Sequence, residues 1–536
     1  MPQLTVITSE ASRAIPFAPG PSVREILEDA GIGVRSGCRG DGACGLCLVQ
    51  LEAGDVPPTT ATERLILPRE KLAGNVRLAC QLRPENDLGL RVIDPPPKSR
   101  WRDLAPETLP GTPAGLAPAA GAAPGGGALG LAIDLGTTQI SFSLWDLPAG
   151  RRRHSRVGPN PQSNYGADVV TRLLAAGKSA QHARRLARLP LEAVADALQE
   201  LGARDGVRPA AIDRVAIVGN TAMLALLTEA DPRPLLQPRN WSRPLEHSGP
   251  NSSSWVRELG IPPRAVVDVV PPLAGFVGSD LLAGVVATRL TARPGSLLID
   301  FGTNSEMALW DGRTLWVSSA AGGPAFESGG IRCGRPAEPG AIYRCRAAPD
   351  SGELQFDTLG GGEARGLCGS GLVDLIACLC DRGALSRTGV FTRPEQPDGY
   401  VVRRQDPVIR LTKGDVDIVQ RAKAAIAVGI RALLARARLT VAELSRVCVG
   451  GVFGQNLNVH HAQRIGLLPA VPPERIELCG NTALAGCERL LLSTEAAAEL
   501  AALRPRATIV NLSTAPDFDA LFLESLYLQP LRADQP

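Results

Sequence analysis

Two stretches of this chain repeat one another 166 residues apart: LGLAIDLGTTQISFSLWD at 129–146 and GSLLIDFGTNSEMALWD at 295–311, which align with one residue deleted. In each, an apolar run ends at an aspartate, Asp134 or Asp300, a glycine–threonine turn follows, and an alternating run closes on Leu-Trp-Asp. An apolar run and an alternating run joined by a glycine turn read as strand, turn and strand, and the recurrence predicts two homologous lobes. The turn chemistry suits phosphate. Gly136 or Gly302 lets a phosphate approach the main chain, Thr137 and Thr138 or Thr303 and Asn304 offer N–H and side-chain donors, and the aspartate can hold Mg2+ through water. Two such turns facing across a cleft would grip one nucleotide from both sides. A single copy reads equally well as an ordinary hairpin turn, so the matched pair carries the expectation. Further glycine turns follow apolar runs at VAIVGNTAM (215–223), GLCGSGLVDLI (366–376) and VCVGGVFGQNL (447–457). In the last, Gly450 and Gly451 would set bare backbone against an adenine or ribose; singly, each of these is also a plain strand-to-helix turn.

Ahead of the repeat, residues 95–128 are rich in Pro, Ala and Gly and show no helical or alternating apolar pattern. Some 34 such residues span on the order of 30 Å as a coil, so they are expected to act as a linker. The uncharged stretch 108–133 is long enough to cross a bilayer, but its prolines at 110, 113, 118 and 124 rule it out as a membrane helix. The expected division is therefore 1–94, linker 95–128, a first lobe 129–294 and a second lobe 295–530.

Residues 1–94 carry Cys38, Cys44 and Cys47 in a C-x5-C-x2-C array, with Cys80 following after 32 residues. Three clustered cysteines and one distant one match the ligand pattern of a [2Fe-2S] cluster, whereas structural zinc sites bring their ligands in two short-spaced pairs. Gly37, Gly40, Gly42 and Gly45 let the loop wrap tightly and aim N–H groups at the sulfurs. Ser22 and Glu25 form a capping-box signal for a helix that Gly31 would stop. The stretch resembles [2Fe-2S] ferredoxins, nearer the adrenodoxin-like branch because its first spacing is x5. That resemblance implies an α+β β-grasp fold.

The large unit resembles the sugar kinase, heat-shock ATPase and actin superfamily, a two-lobed α/β fold of RNase H-like halves. The whole chain resembles the reductive activators of corrinoid proteins. The segments that carry this are NPQSNYGADVVTRL (160–173), LLIDFGTNSEMAL (297–309), SAAGGPAFESGGIRCG (319–334), GLCGSGLVDLIA (366–377), DIVQRAKAAIAVGIRALL (417–434) and GGVFGQNLNVHHAQRIGLLP (450–469). The resemblance implies an ATP-dependent iron–sulfur reductase that returns one electron to cob(II)alamin, regenerating cob(I)alamin in a methyltransferase system. Its partners would be a corrinoid protein or methyltransferase subunit and a donor that reduces the cluster, with homodimerisation through the large unit. Cys38, Cys44, Cys47 and Cys80 would carry the electron. Asp134, Gly136, Thr137, Thr138, Asp300, Gly302, Thr303 and Asn304 would handle Mg2+ and phosphate, and Gly450 and Gly451 would flank the nucleoside. Glu306 would position water, unless it is simply an exposed strand carboxylate. The alternatives are a small-molecule kinase of the same superfamily fused to a ferredoxin, and a non-catalytic redox adaptor; intact aspartates in both turns speak against the adaptor.

Composition closes off other classes. With 57 Lys+Arg against 54 Asp+Glu the charge is near neutral, which offers nucleic acid no basic stripe. The start lacks a signal peptide, so a reducing cytoplasm is the expected compartment. Cys333, Cys345, Cys368, Cys378, Cys380, Cys448, Cys479 and Cys487 contain no C-x2-C and read as core residues, with Cys333 or Cys368 the candidates for a second cluster shared across a dimer. The five histidines show no metal spacing, and Arg151 to Arg153 reads as a solvated loop.

Overall fold

Short alternating runs decide the first 93 residues in the computed structural model. It describes residues 1–8, 11–30, 32, 34, 42, 45, 47–93, 101–104, 128–166, 168–243, 252–327, 329–348, 353–392, 398–404, 408–515 and 517–531. Contacts divide the chain into two units, Met1–Arg100 with Gly329–Arg332, and Trp101–Ser328 with Cys333–Pro536.

In the first unit, β1 (Gln3–Ile7), β2 (Ser12–Pro16), β3 (Leu48–Gly54), β4 (Val76–Leu78) and β5 (Leu88–Val92) form one mixed sheet in the order β2-β1-β5-β3-β4. Every second residue of the central strands points inward: Leu4 and Val6, Val49 and Leu51, Leu88 and Leu90 are buried. They pack with Val23, Ile26 and Leu27 of the helix Val23–Asp29. The capping box forms as expected: the Ser22 N–H donates to Glu25 Oε2 at 2.7 Å and the Glu25 N–H donates to Ser22 Oγ at 3.3 Å. A helix laid on a mixed five-stranded sheet is the β-grasp arrangement.

The second unit contains two sheets of like topology. The first runs β11-β10-β7-β8-β9-β6, built from β6 (Arg102–Asp103), β7 (Leu129–Leu135), β8 (Gln139–Asp146), β9 (Arg151–Pro159), β10 (Ile212–Gly219) and β11 (Val266–Val269). The next strands are β12 (Ser296–Phe301), β13 (Ser305–Trp310) and β14 (Leu315–Ala320). A small sheet follows of β15 (Ala341–Ala347), β16 (Leu354–Thr358) and β17 (Gly366–Leu367), then a ribbon of β18 (Tyr400–Arg403) and β19 (Ile409–Leu411). With β20 (Arg446–Gly450), β21 (Ile476–Gly480) and β22 (Ala507–Ile509), the second large sheet runs β21-β20-β12-β13-β14-β22. In both, a three-stranded antiparallel meander is extended by two parallel strands on its first member. The deleted residue also finds its place. Leu135 pairs with Ile140 and Phe301 with Ser305, so the first hairpin turn holds four residues and the second three.

Two apolar helices join the sheets. Ser279–Thr288 and Thr482–Leu492 pack against each other, and one buried core runs from Ala132, Ala216 and Val218 of the first sheet through Leu281, Val285, Leu484 and Leu491 to Leu298, Ala308 and Cys448 of the second. The second helix follows the second repeat in sequence yet lies on β7 and β10 of the first sheet.

Two expectations change. Arg102–Asp103, from the stretch read as linker, is an edge strand paired with β9, and neighbouring Trp101 is buried edge-on against Phe142; an aromatic side chain that can bury an apolar face outweighs a Pro-rich context. The remaining linker residues, 95–100 and 105–127, lie outside the described residues. Arg151 to Arg153 is strand rather than loop: Arg152 pairs with Glu488 at 2.5 Å and lies over Trp145, and Arg153 pairs with Asp146 at 2.7 Å.

Candidate functional site

The two repeated turns meet. Thr138 Oγ1 lies 2.7 Å from Thr303 Oγ1, and both hydroxyls donate to Glu327 Oε2, at 3.2 and 3.0 Å. Glu327 sits just past the short helix Gly323–Phe326; partial loss of water around its carboxyl raises its pKa against the two donated hydrogen bonds, while the residue stays open to solvent. Thr137, which reads the same as Thr138 in sequence, faces its own lobe. It is 4% exposed, its hydroxyl accepts from Asn220 Nδ2 at 2.7 Å, and its carbonyl accepts from buried Arg172 at 2.6 Å. Asn160 Nδ2 donates to the Gly136 carbonyl at 2.8 Å. Thr137 is thus the anchor of the turn, and Thr138 is the residue presented to the cleft.

Behind the threonines, carboxylates converge from both lobes. Asp300 and Glu306 are cross-strand partners on β12 and β13, so they share a sheet face. Asp280 joins them from the first turn of the helix Ser279–Thr288, and Asp134 faces them from β7. Glu306 is 5% exposed, which removes the reading of it as an exposed strand carboxylate. Burial, opposed by Asn481 and reinforced by Asp280 and Asp300, pushes Asp134 up to about 7. Burial and Asp300 push Asp280 up to about 6. Burial raises Asp300 against a bond from Thr482, and burial with Asp280 and Asp300 raises Glu306 well above its usual range. Four carboxyl groups that all resist ionisation make a site that favours a cation of high charge and oxygen preference.

Both repeated aspartates are held by consecutive residues. Asn481 Nδ2 donates to Asp134 Oδ2 at 3.1 Å and Thr482 Oγ1 donates to Asp300 Oδ2 at 2.7 Å, at the start of the helix Thr482–Leu492. Gly450 and Gly451 lie beside this point. A Cβ on Gly450 would come 2.7 Å from Thr482 Oγ1 and 3.0 Å from Asp300 Oδ2, and one on Gly451 (φ +87°) would meet the Phe301 carbonyl at 2.1 Å. Close packing of the chain on itself therefore already requires both glycines.

Sequence reasoning missed Asp280, Glu327, Asn220, Asn481 and Thr482. A signal existed for three of them, because Gly-Asn-Thr-Ala occurs at 219–222 and again at 480–483. Glu327 is the lone carboxylate of a glycine-rich segment. Asp280 had no local signal.

In the first unit, Cys38 and Cys44 lie outside the described residues, as do Gly37 and Gly40. The other two predicted ligands come together: Cys47 Sγ and Cys80 Sγ are 3.4 Å apart, both buried, and Gln81 Nε2 donates to Cys80 Sγ at 3.6 Å. Tetrahedral metal–thiolate bonds of about 2.3 Å set two sulfurs about 3.8 Å apart, so this pair fits ligation of one iron. Gly42 (φ +76°) and Gly45 (φ +66°) adopt the left-handed backbone that suits glycine, and a Cβ at Gly42 would meet Thr62 at 2.3 Å. Of the remaining cysteines, Cys333 and Cys368 are buried in the small three-stranded region, and neither joins two further metal-ligating groups among the described residues. Cys448, Cys479 and Glu477 do bring ligand atoms within 4.8 Å, but Glu477 is already paired bidentately with Arg446 at 2.8 and 2.5 Å.

Known proteins share this organisation. The family model of a 2Fe-2S iron-sulfur cluster binding domain matches residues 7–85, that of the RACo middle region matches 129–293, and that of the C-terminal domain of RACo, the ASKHA domain, matches 295–535. The chain is 29% identical over 413 residues to the corrinoid activation enzyme RamQ of Eubacterium limosum, covering 73% of this chain and 68% of the relative. It is 24% identical over 441 residues to the [Co(II) methylated amine-specific corrinoid protein] reductase of Methanosarcina barkeri, covering 74% and 76%. Among solved structures, a reductive activator for corrinoid, iron-sulfur protein superposes with a TM-score of 0.67 at 26% identity, covering 100% of this chain and 99% of the other. With both RACo models matched in series behind a [2Fe-2S] domain, this chain belongs to the RACo family of reductive activators of corrinoid proteins.

Proposed function

We propose that the chain activates a corrinoid protein by ATP-dependent reduction, passing one electron to cob(II)alamin and regenerating cob(I)alamin for a methyltransferase. The observation that carries the ATP half is the convergence of Thr138, Thr303 and Glu327 in front of Asp134, Asp280, Asp300 and Glu306, with residues from both lobes in each group. Mg2+ bound there would supply the positive charge that the carboxylates demand and that phosphate oxygens share. Thr138 and Thr303 would donate to those oxygens, which requires them to release Glu327 and their mutual 2.7 Å contact to open. Glu327, freed of both hydroxyls, would orient an attacking water, and Glu306 would belong with the cation carboxylates. Gly450 and Gly451, at the end of the strand beside Asp300, would flank the nucleoside.

Cys38, Cys44, Cys47 and Cys80 would hold the cluster, which supplies single-electron transfer once an external donor has reduced it. Reducing cob(II)alamin from a ferredoxin is uphill, and each 59 mV of one-electron gap costs about 1.4 kcal/mol. Closing or opening the lobes on nucleotide is the proposed means of shifting the bound corrinoid toward a more reducible state. The compartment this requires is a reducing one, and no helix among the described residues is long and apolar enough to cross a membrane.

The test is to mix the chemically reduced protein with a cob(II)alamin-loaded methyltransferase subunit, with and without ATP, and follow the cob(I)alamin absorption band. An ATP-dependent band is expected. Cys44→Ser should abolish electron transfer and leave nucleotide binding, and Asp300→Ala should weaken nucleotide binding and abolish the ATP-dependent band while leaving the cluster assembled and reducible. No ATP-dependent band with several corrinoid partners, or full reduction by Cys44→Ser, would overturn the reading.

A further inference from the structure

Away from the cleft, an acid, an imidazole and two thiols stand in line. Asp374 is fully buried in the helix Gly369–Asp381, and its Oδ1 lies 2.8 Å from Nδ1 of His461, on the helix Val459–Arg464. His461 Nε2 lies 3.9 Å from Cys378 Sγ, one turn beyond Asp374. The other carboxylate oxygen, Oδ2, accepts the Cys345 N–H at 3.1 Å, and Cys378 Sγ approaches the Cys345 carbonyl at 3.8 Å, which ties β15 to the helix. A carboxylate that orients an imidazole, which in turn faces a thiol, is the general arrangement for activating a sulfur nucleophile. The second thiol is the additional feature.

We propose that Cys378 is an oxidative modification site, a thiol activated by His461 and Asp374 that hydrogen peroxide oxidises and Cys345 then captures as a disulfide. The thiolate attacks one peroxide oxygen and the O–O bond breaks. The departing hydroxide takes the proton from the His461 imidazolium, leaving a sulfenic acid and one water. The Cys345 thiol then attacks that sulfur, the S–S bond forms, and the sulfenic oxygen leaves with the thiol proton as a second water. The thiols lose two electrons and the peroxide gains them.

The electrostatics agree with this order of events. The Cys345 thiol first, then His461, holds Cys378 down to about 5 against burial, whereas interaction with Cys378 and burial push Cys345 up. Burial disfavours a charged His461, yet its bonds to Asp374 and Cys378 raise it to about 9. The charged groups facing the thiols are Asp374 within the cysteine helix, Arg382 just past its end, Arg344 and Arg346 on β15, and His461. Cys378 is 5% exposed and Cys345 is not exposed at all, so a small oxidant meets Cys378 first. The same helix begins at Gly369, packed on the carbonyl of Phe326 next to Glu327, so the pair sits on an element that also supports the cleft.

The experiment treats the full-length holoprotein with stoichiometric hydrogen peroxide, quenches with an alkylating agent and maps peptides by mass spectrometry. A Cys345–Cys378 disulfide that dithiothreitol reverses is expected. Cys345→Ser should instead leave a Cys378 sulfenic acid that dimedone traps. His461→Gln should slow disulfide formation about tenfold near pH 7 and move the pH midpoint of Cys378 alkylation upward, because the thiolate and not the thiol is the nucleophile. Cys345 and Cys378 both recovered reduced while other cysteines are oxidised, or an unshifted alkylation profile in His461→Gln, would overturn the proposal. Disulfide mapping on the unmutated protein keeps the test independent of how any variant folds.

Discussion

Lys423 lies in the middle of the helix Lys413–Ala437, 1% exposed, with its ammonium bonded at 2.5 Å to the carbonyl of Tyr527. Its neighbour Gln420 donates to the Leu526 carbonyl at 2.9 Å, and Arg464 to that of Leu528 at 3.2 Å, so three side chains hold the C-terminal segment. Burial lowers the Lys423 pKa from 10.5 to about 7, offset only slightly by Cys380. Below pH 7 the ammonium is charged in both folded and unfolded chains, and the folded state carries the full cost of burying it. Between pH 7 and 10.5 the unfolded chain binds more protons than the folded one, so this group makes stability rise with pH. The 3.5-unit difference is about 5 kcal/mol at most. Lys423→Met keeps the volume and removes the charge, but leaves the Tyr527 carbonyl without this donor, at about 1 kcal/mol. The variant should therefore be more stable than the parent by up to about 4 kcal/mol at pH 6, and about as stable as the parent near pH 10, where the unfolded lysine is still mostly protonated. At roughly 2.1 cal/mol/K per residue over about 400 residues, the pH 6 gain is about 5 °C in Tm. All six tryptophans lie at position 101 or beyond, so tryptophan fluorescence during heating reports the large unit alone. A variant-minus-parent difference that stays constant from pH 6 to 10, or is negative at pH 6, would refute the reasoning.

Three further outcomes are expected. Arg77 forms two bonds to fully buried Glu63, at 2.9 and 2.7 Å, and these with bonds from Thr60 and Leu78 outweigh burial and hold that carboxyl below its usual range. Arg77→Met strands the charge and should destabilise the first unit by about 3–5 kcal/mol, read as early loss of the cluster's visible absorption on heating. In the parent, the stabilisation from Glu63 should fade as pH drops below about 4.5 through its lowered value. Asn220→Ala removes both the cap of the helix Thr221–Leu227 and the donor to Thr137, so it should cost about 1 kcal/mol of stability and weaken binding of a non-hydrolysable ATP analogue several-fold by calorimetry. Mg2+ should raise the Tm of the parent, and chelation should reverse it. Asp134→Asn should be at least as stable as the parent in chelator and gain less from Mg2+, because one of four crowded carboxylates is gone.

How far the sequence could be read depended on whether a residue's role was set by its neighbours in the chain. Capping at Ser22 and Glu25, the hairpin repeat, the one-residue difference in turn length and the glycines near Cys47 are local, and alternation or backbone conformation reveals them. Thr137 and Thr138 mark the limit, since adjacent residues of identical type point to opposite sides and only the packing of Arg172 and Asn220 says which faces the cleft. Asp280 and Glu327 belong to the site because helices more than 100 residues from Asp134 return to it, and no periodicity records such a return. His460 and His461 are neighbours of one type on one helix, yet His460 is exposed while His461 reaches Asp374, a difference that packing and not the sequence decides.

The two repeats are alike in their strands and unlike in what surrounds them, and the difference bears on how the lobes can communicate. Opposite Asp300 the second hairpin places Glu306, whereas opposite Asp134 the first places Ser141, so only the second hairpin carries a second carboxyl group across from its aspartate. Yet Asn481, which holds Asp134 and also reaches Ser141 at 3.3 Å, directly precedes Thr482, which holds Asp300. One helix start therefore clamps the paired aspartates of both lobes, and the body of that helix is fixed to the first sheet by Cys487, whose thiol donates to the carbonyls of Ile133 and Ala216 at 3.6 and 3.3 Å. A rotation of the second sheet against the first must change the distance from Thr482 to Asp300 before it changes that from Asn481 to Asp134. A cation drawn to Asp280, Asp300 and Glu306 would compete for the carboxylate that Thr482 holds, so binding at the carboxylates and movement of the lobes share a single hydrogen bond.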